Sequence, residues 1–158
     1  MTQASQPAAS IRTEEDAIYT EVEIAASPAT VFAAISDPNQ LGQWWGGDKY
    51  RADNWEIDLR PGGKWRSRGT GQSGDPFEVH GEYLEVDPPR LLAYTWNASW
   101  APEGESVVRW ELQAIAAGTR LTVIHSGLRD QPQAKASYSG GWPGVLTWLK
   151  GYAERKAA

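Results

Sequence analysis

Between Ile18 and Ile24 apolar and polar positions alternate, with Ile18, Thr20, Val22 and Ile24 on one side and Tyr19, Glu21 and Glu23 on the other. That is the two-residue period of a strand buried on one face. The period then changes. Ser27-Pro28 supplies an N-cap and a proline at the first helical position, Val31, Phe32 and Ile35 follow at helical spacing, and Asp37-Pro38 stops the helix. A second short helix or turn from Asn39 carries Leu41, Trp44 and Trp45 as far as Gly46-Gly47.

Strand period returns with Trp55, Ile57 and Leu59 alternating against Glu56 and Asp58. Arg60-Pro61-Gly62-Gly63 has proline and glycine where a type II turn requires them, so a hairpin follows. Its return strand puts Trp65 on one face and Lys64, Arg66 and Arg68 on the other. Further strands are predicted over 77–86, 91–96, 106–114 and 119–125, with 97–104 as a connection. Successive hairpins give an antiparallel sheet.

The C-terminal stretch 140–153 places Trp142, Val145, Leu146, Leu149, Tyr152 and Ala153 on one helical face, opposite Thr147, Lys150 and Glu154. Pro143 fits a first turn, which makes Ser139 or Gly140 the N-cap and leaves 132–138 as a separate helical turn. With Gly140, Gly141 and Gly144 close together this helix is poor by propensity, so packing must hold it. The predicted class is α+β: an antiparallel sheet whose apolar face receives the last helix, with two short helices after the first strand. Residues 1–15 show no period and are expected to form a mobile tail, followed by a single domain over 16–156.

Composition changes this picture in three places. The 158 residues include no cysteine, which excludes disulfides and thiolate chemistry and predicts a cytoplasmic protein. A net charge of −5 excludes nucleic acid as the main partner. No apolar run approaches the ~20 residues a membrane span needs, and the first residues lack the regions of a signal peptide. Nine tryptophans against two phenylalanines is an unusual aromatic load, and it bears on the inner face of the sheet.

Period-2 alternation groups Leu92, Tyr94 and Trp96 on one strand, Val108, Trp110 and Leu112 on the next, and Leu121, Val123 and His125 on the last. Large apolar walls with a few polar tips describe a ligand pocket. They equally describe a filled core whose Trp and His groups are satisfied by neighbours. Both readings are open on the pattern alone.

Five short blocks add a resemblance: 39–46 (NQLGQWWG), 58–63 (DLRPGG), 88–91 (PPRL), 118–128 (GTRLTVIHSGL) and Gly141-Trp142 with the leucines after it. Together, and in this order, they resemble the activator-of-Hsp-ATPase-homologue C-terminal-domain-like family of the START/SRPBCC superfamily. The resemblance runs from Ile18 to Tyr152. It implies the helix-grip fold, a curved sheet wrapped around a long C-terminal helix with a deep cavity between them. Superfamily members bind lipids, sterols, polyketides or other aromatic molecules and include cyclases and dehydratases, so a hydrophobic cavity is implied and a reaction is not.

Candidate chemistry is sparse. His80 and His125 are the only histidines and show no metal-ligand spacing, so no metal and no cofactor is expected. The Gly69-Thr-Gly71-Gln-Ser-Gly74 string precedes a strand, so no helix N-terminus can receive a phosphate there. His125, if it faces the cavity, would have a lowered pKa and could act as acid or base; the alternative is a satisfied histidine at a strand end. Trp44-Trp45, Tyr50 and Trp100 are expected near a cavity mouth.

The expected ligand-binding wall is Trp44, Trp65, Trp96, Trp110, His125, Trp142 and Leu146, with His125 or an indole N–H fixing orientation. The leading expectation is binding of a small apolar or aromatic ligand by a monomer or homodimer. A cyclase, dehydratase or hydrolase using His125, and a co-chaperone-like protein-binding module, are the alternatives.

Overall fold

Among the described residues, eight antiparallel strands form one curved sheet, and a 26-residue C-terminal helix lies across its inner face. The coordinates are a computed structural model that describes residues 9–102 and 104–158. In chain order the elements are β1 (Ala9–Thr13), β2 (Ile18–Ile24), α1 (Pro28–Ser36), α2 (Pro38–Trp44), β3 (Arg51–Ile57) and β4 (Lys64–Thr70). They continue as β5 (Pro76–Asp87), β6 (Leu91–Ala98), β7 (Ser106–Ile115), β8 (Gly118–Ser126) and α3 (Pro132–Ala157). The strand order is β1-β2-β8-β7-β6-β5-β4-β3, so β3 to β8 form a hairpin meander and β2 closes onto the last strand.

The local reasons are those the pattern contains. Ser27 caps α1 by accepting from Thr30 N. Asp37 ends α1 through its own N–H and starts α2 through its carboxylate, which accepts from Asn39 N at 2.9 Å. Gly63 N donates to Arg60 O across a turn whose third residue, Gly62, has φ +83°, the type II geometry expected between β3 and β4. The basic row of β4 lies on the solvated face, where Lys64 pairs with Glu82 and both Arg66 and Arg68 with Glu78. Such exposed pairs contribute little to stability.

Two expectations are corrected. Ala9–Thr13 is an edge strand paired with β2, within the stretch expected to be a mobile tail; the first eight residues lie outside the described residues. Four of its five side chains are exposed, so the backbone ladder holds it and no hydrophobic period marks it. The second correction concerns α3. It starts at Pro132 and runs unbroken through Gly140, Gly141 and Pro143, where a separate turn and a later start were expected. The buried stripe begins at Ala134 and Tyr138 and continues through Trp142, Val145, Leu146 and Leu149. An interior proline costs about 3 kcal/mol. Eight buried side chains on one face offset it.

Polar ties fix the far end of α3. Lys150 donates to Glu23 O, and Glu154 accepts from Ala25 N and from Lys150. Burial pushes the Glu154 carboxyl up, but the Ala25 N–H and the Lys150 ammonium outweigh it and hold it below the usual range.

Curvature comes from bulges. Register shifts between Arg51 and Asn54 in β3 and between Tyr83 and Glu85 in β5, and bulged strands bend. Gly81, opposite Trp65, lets β5 approach closely: a Cβ there would lie 1.8 Å from Thr95 O and 2.6 Å from Trp65 Nε1. The Trp65 indole uses that gap to donate to Thr95 O at 3.2 Å. Gly81→Ala is therefore expected to lower stability by about 2 kcal/mol or more, through overpacking and an orphaned indole N–H, as read by urea denaturation.

Candidate functional site

The space between the sheet and α3 is not filled. A cavity of about 430 Å³ opens on the β3–β5 side of the helix. Its floor is the inward face of three neighbouring strands: Ala52 and Trp55 on β3, Trp65 and Ser67 on β4, Phe77 and Val79 on β5, with Trp96 beside them on β6. Tyr138, Gly141, Trp142 and Val145 of α3 form its roof. Trp45, Lys49, Tyr50 and Trp100 stand at loops around it, with Gly71 and Gln72 from the β4–β5 turn.

Ring packing keeps these walls in place. Trp45 is the hub, with its centroid 5.2 Å from Trp44, 5.7 Å from Trp55, 6.1 Å from Trp142 and 6.3 Å from both Trp96 and Trp110. Trp55 and Trp65 lie nearly parallel, 6.3 Å apart at 21°. These are the separations at which aromatic pairs attract beyond simple burial.

The indole N–H groups are spent inside the protein. Trp44 donates to Ala34 O, Trp45 to Tyr50 Oη, Trp55 to Ala52 O and Trp65 to Thr95 O. Trp96 donates to Tyr138 Oη, Trp110 to Tyr94 Oη and Trp142 to His125 Nδ1. Burial pushes the Tyr50 and Tyr94 hydroxyls up, so both stay neutral partners. In these seven rings that proton is already committed within the protein; of the lining tryptophans this leaves Trp100, at the rim, as the one whose N–H could orient a ligand.

The expectation for His125 is corrected. It is fully buried and does not line the cavity. Trp142 Nε1, a donor only, points at Nδ1 at 3.0 Å, so Nδ1 is the bare nitrogen and the proton sits on Nε2. Nε2 meets Ser106 Oγ at 2.7 Å, and the ring stacks on Tyr138 with centroids 4.5 Å apart. Burial holds its pKa down to about 3. A neutral imidazole with both nitrogens engaged is a structural joint, not an acid or base.

Of the seven residues expected to form the wall, the structure brings Trp65, Trp96 and Trp142 together at the cavity. Trp44, Trp110, His125 and Leu146 lie behind it in the packed core. Trp44 misses because it ends α2 pointing at α1, whereas the next residue, Trp45, turns into extended backbone and faces the cavity. Trp110 and Leu146 face the sheet–helix contact where no space is left. Sequence reasoning missed Trp55, Ser67, Phe77, Val79 and Tyr138, although Trp55 and Trp65 carried the right alternation.

Ser67 stands apart. Only 2% exposed, its Oγ is the one buried side-chain polar atom without a partner among the described residues. Lys49, exposed at the rim, is the sole charged lining residue. Among the described residues no three or more His, Cys, Asp or Glu gather where a metal could sit, and no helix is long and apolar enough to cross a membrane.

The family profile described as Activator of Hsp90 ATPase homolog 1-like protein matches residues 25–154. Among solved structures, Ms6760 from Mycobacterium smegmatis is similar with a TM-score of 0.78 at 19% identity, over 94% of this chain and 96% of that one. MLL2253 from Mesorhizobium loti gives 0.73 at 25% identity, over 90% of this chain and 99% of that one. The AHSA1-like protein from Aeromonas hydrophila gives 0.74 at 20% identity, over 89% and 93%. These likenesses establish the α+β helix-grip fold. No curated protein sequence matches the chain.

The buried histidine has a consequence for pH dependence. The folded protein keeps His125 neutral down to about pH 3, while the unfolded chain protonates it below about 6.5. Its contribution is therefore complete above that pH and is lost progressively as pH falls, at about 1.4 kcal/mol per unit. Denaturant titrations between pH 6.5 and 5 should show this slope in the wild type and a flatter one in His125→Gln.

Proposed function

The chain belongs to the Activator of Hsp90 ATPase homolog 1-like family, and from that premise we propose that it binds a small, mainly aromatic molecule in the hollow between its sheet and α3. One observation carries the reading: a cavity of about 430 Å³ walled by aromatic rings from strands, loops and helix at once. Its size and its few polar groups match those of small-molecule sites.

The physical mechanism is burial against walls that do not need to move. A two-ring ligand covering about 150–200 Å² would gain roughly 4–5 kcal/mol from leaving water, before the cost of immobilising it. Flat rings gain more than aliphatic chains of equal area, because Trp55, Trp65, Trp96 and Trp142 offer faces and edges at stacking distance. The wall indoles are pinned by their own hydrogen bonds, so little ordering accompanies binding. His125, the residue an acid–base reaction would have used, is sequestered behind the wall, which favours binding over catalysis at this site.

Gly141 gives a clean test. It lines the cavity, and a Cβ there meets nothing within 4 Å. Gly141→Leu should strengthen α3 by up to about 0.8 kcal/mol while crowding the hollow and weakening an aromatic probe about fivefold or more. Quenching of tryptophan fluorescence by naphthalene, measured beside thermal unfolding, reads both effects. Unchanged affinity in the variant would place the probe elsewhere and remove the reading.

A further inference from the structure

The cavity is lined by one buried side-chain polar atom for which the described residues provide no partner. Ser67 sits on β4 two residues from Trp65 and shares its inward face. In the ladder it stands opposite Trp55 on β3 and Val79 on β5, both of them cavity-lining. Its side chain is 2% exposed and its hydroxyl has no partner among the described residues. Buried hydroxyls are paired as a rule, and an alanine would occupy the same place on the strand without the loss of a hydrogen bond to water.

The surroundings leave the protein no remedy of its own. The rings on either side, Trp55 and Trp65, have their N–H groups committed to Ala52 O and Thr95 O, and the third strand presents Val79. A hydroxyl without a partner on the same inward face as two near-parallel indoles is placed to meet an oxygen carried on the rim of a flat ring. It can donate to a carbonyl or accept from a phenol.

Resting on the cavity-binding reading above, we propose that Ser67 is the specificity-determining anchor of this site, and that the ligand is an aromatic molecule bearing a ring-borne oxygen. The indole walls hold the ring by apolar contact; Ser67 selects the oxygenated ring over the plain hydrocarbon. Without this anchor the same oxygen would be stripped of water and left unpaired, so the preference would reverse.

The test compares naphthalene with 1-naphthol and 2-naphthol, by tryptophan quenching, on wild type and Ser67→Ala. Wild type should bind at least one naphthol about three- to tenfold tighter than naphthalene. Ser67→Ala should keep or improve naphthalene binding, lose the preference for the naphthol, and melt no lower than wild type. Naphthalene binding with the same naphthol ratio in both proteins would overturn the role of Ser67 and leave the cavity reading intact. A lower melting temperature in the variant would show a protein partner for the hydroxyl and overturn it as well. Failure of wild type to bind any of the three would overturn the cavity reading and this proposal together.

Discussion

The hydrogen bond from the Trp142 indole to Nδ1 of His125 is the joint on which the arrangement depends, because it fastens the helix to the sheet through two fully engaged partners among packed rings. The donor can only donate, so it dictates the tautomer of the imidazole, and that tautomer hands its remaining proton to Ser106 on the adjacent strand. The same bond fixes the rotation of α3. With Trp142 aimed at β8, Tyr138 falls over Trp96, and Leu146 and Leu149 fall into the closed part of the core. A helix that carries Gly140, Gly141, Pro143 and Gly144 has little of its own to hold it in that rotation.

A hollow persists beneath this helix because its walls are individually anchored. A loose cluster of indoles would collapse inward and bury more surface. Here these wall rings are each held by an acceptor within the protein: Ala52 O, Thr95 O, Tyr50 and Tyr138. Bulges in β3 and β5 bend the floor away from the roof, and the bare backbone at Gly81 lets Trp65 lie flat against it. Packing and polar satisfaction therefore oppose the filling of the space. The residue left unsatisfied by the scheme, Ser67, faces it.

Much of this was legible in the sequence. Alternation at Leu121, Val123 and His125, and at Val108, Trp110 and Leu112, assigns the inner face correctly, since a strand buried on one side has no other way to place its side chains. The helix stripe from Trp142 to Ala153 is equally plain. What period cannot show is depth. Trp96 and Trp110 share the inward face of neighbouring strands, yet one borders open space and the other is sealed, because that difference depends on which part of the sheet α3 covers. Trp44 and Trp45 differ by a single backbone turn at the end of α2, which composition does not encode. The edge strand Ala9–Thr13 was invisible for a different reason: it is held by main-chain bonds, and main chains have no sequence.

Wall and core differ ring by ring, so the sharpest measurement resolves the indoles individually. Titration of ¹⁵N-labelled protein with naphthalene, followed at the indole Nε1–H resonances, separates wall from core. Trp55, Trp65, Trp96 and Trp142 are expected to shift in concert and saturate, while Trp44 and Trp110 stay in place. Movement of Trp44 and Trp110 with the wall rings unmoved, or no saturable shift in any of them, would contradict that division of wall from core.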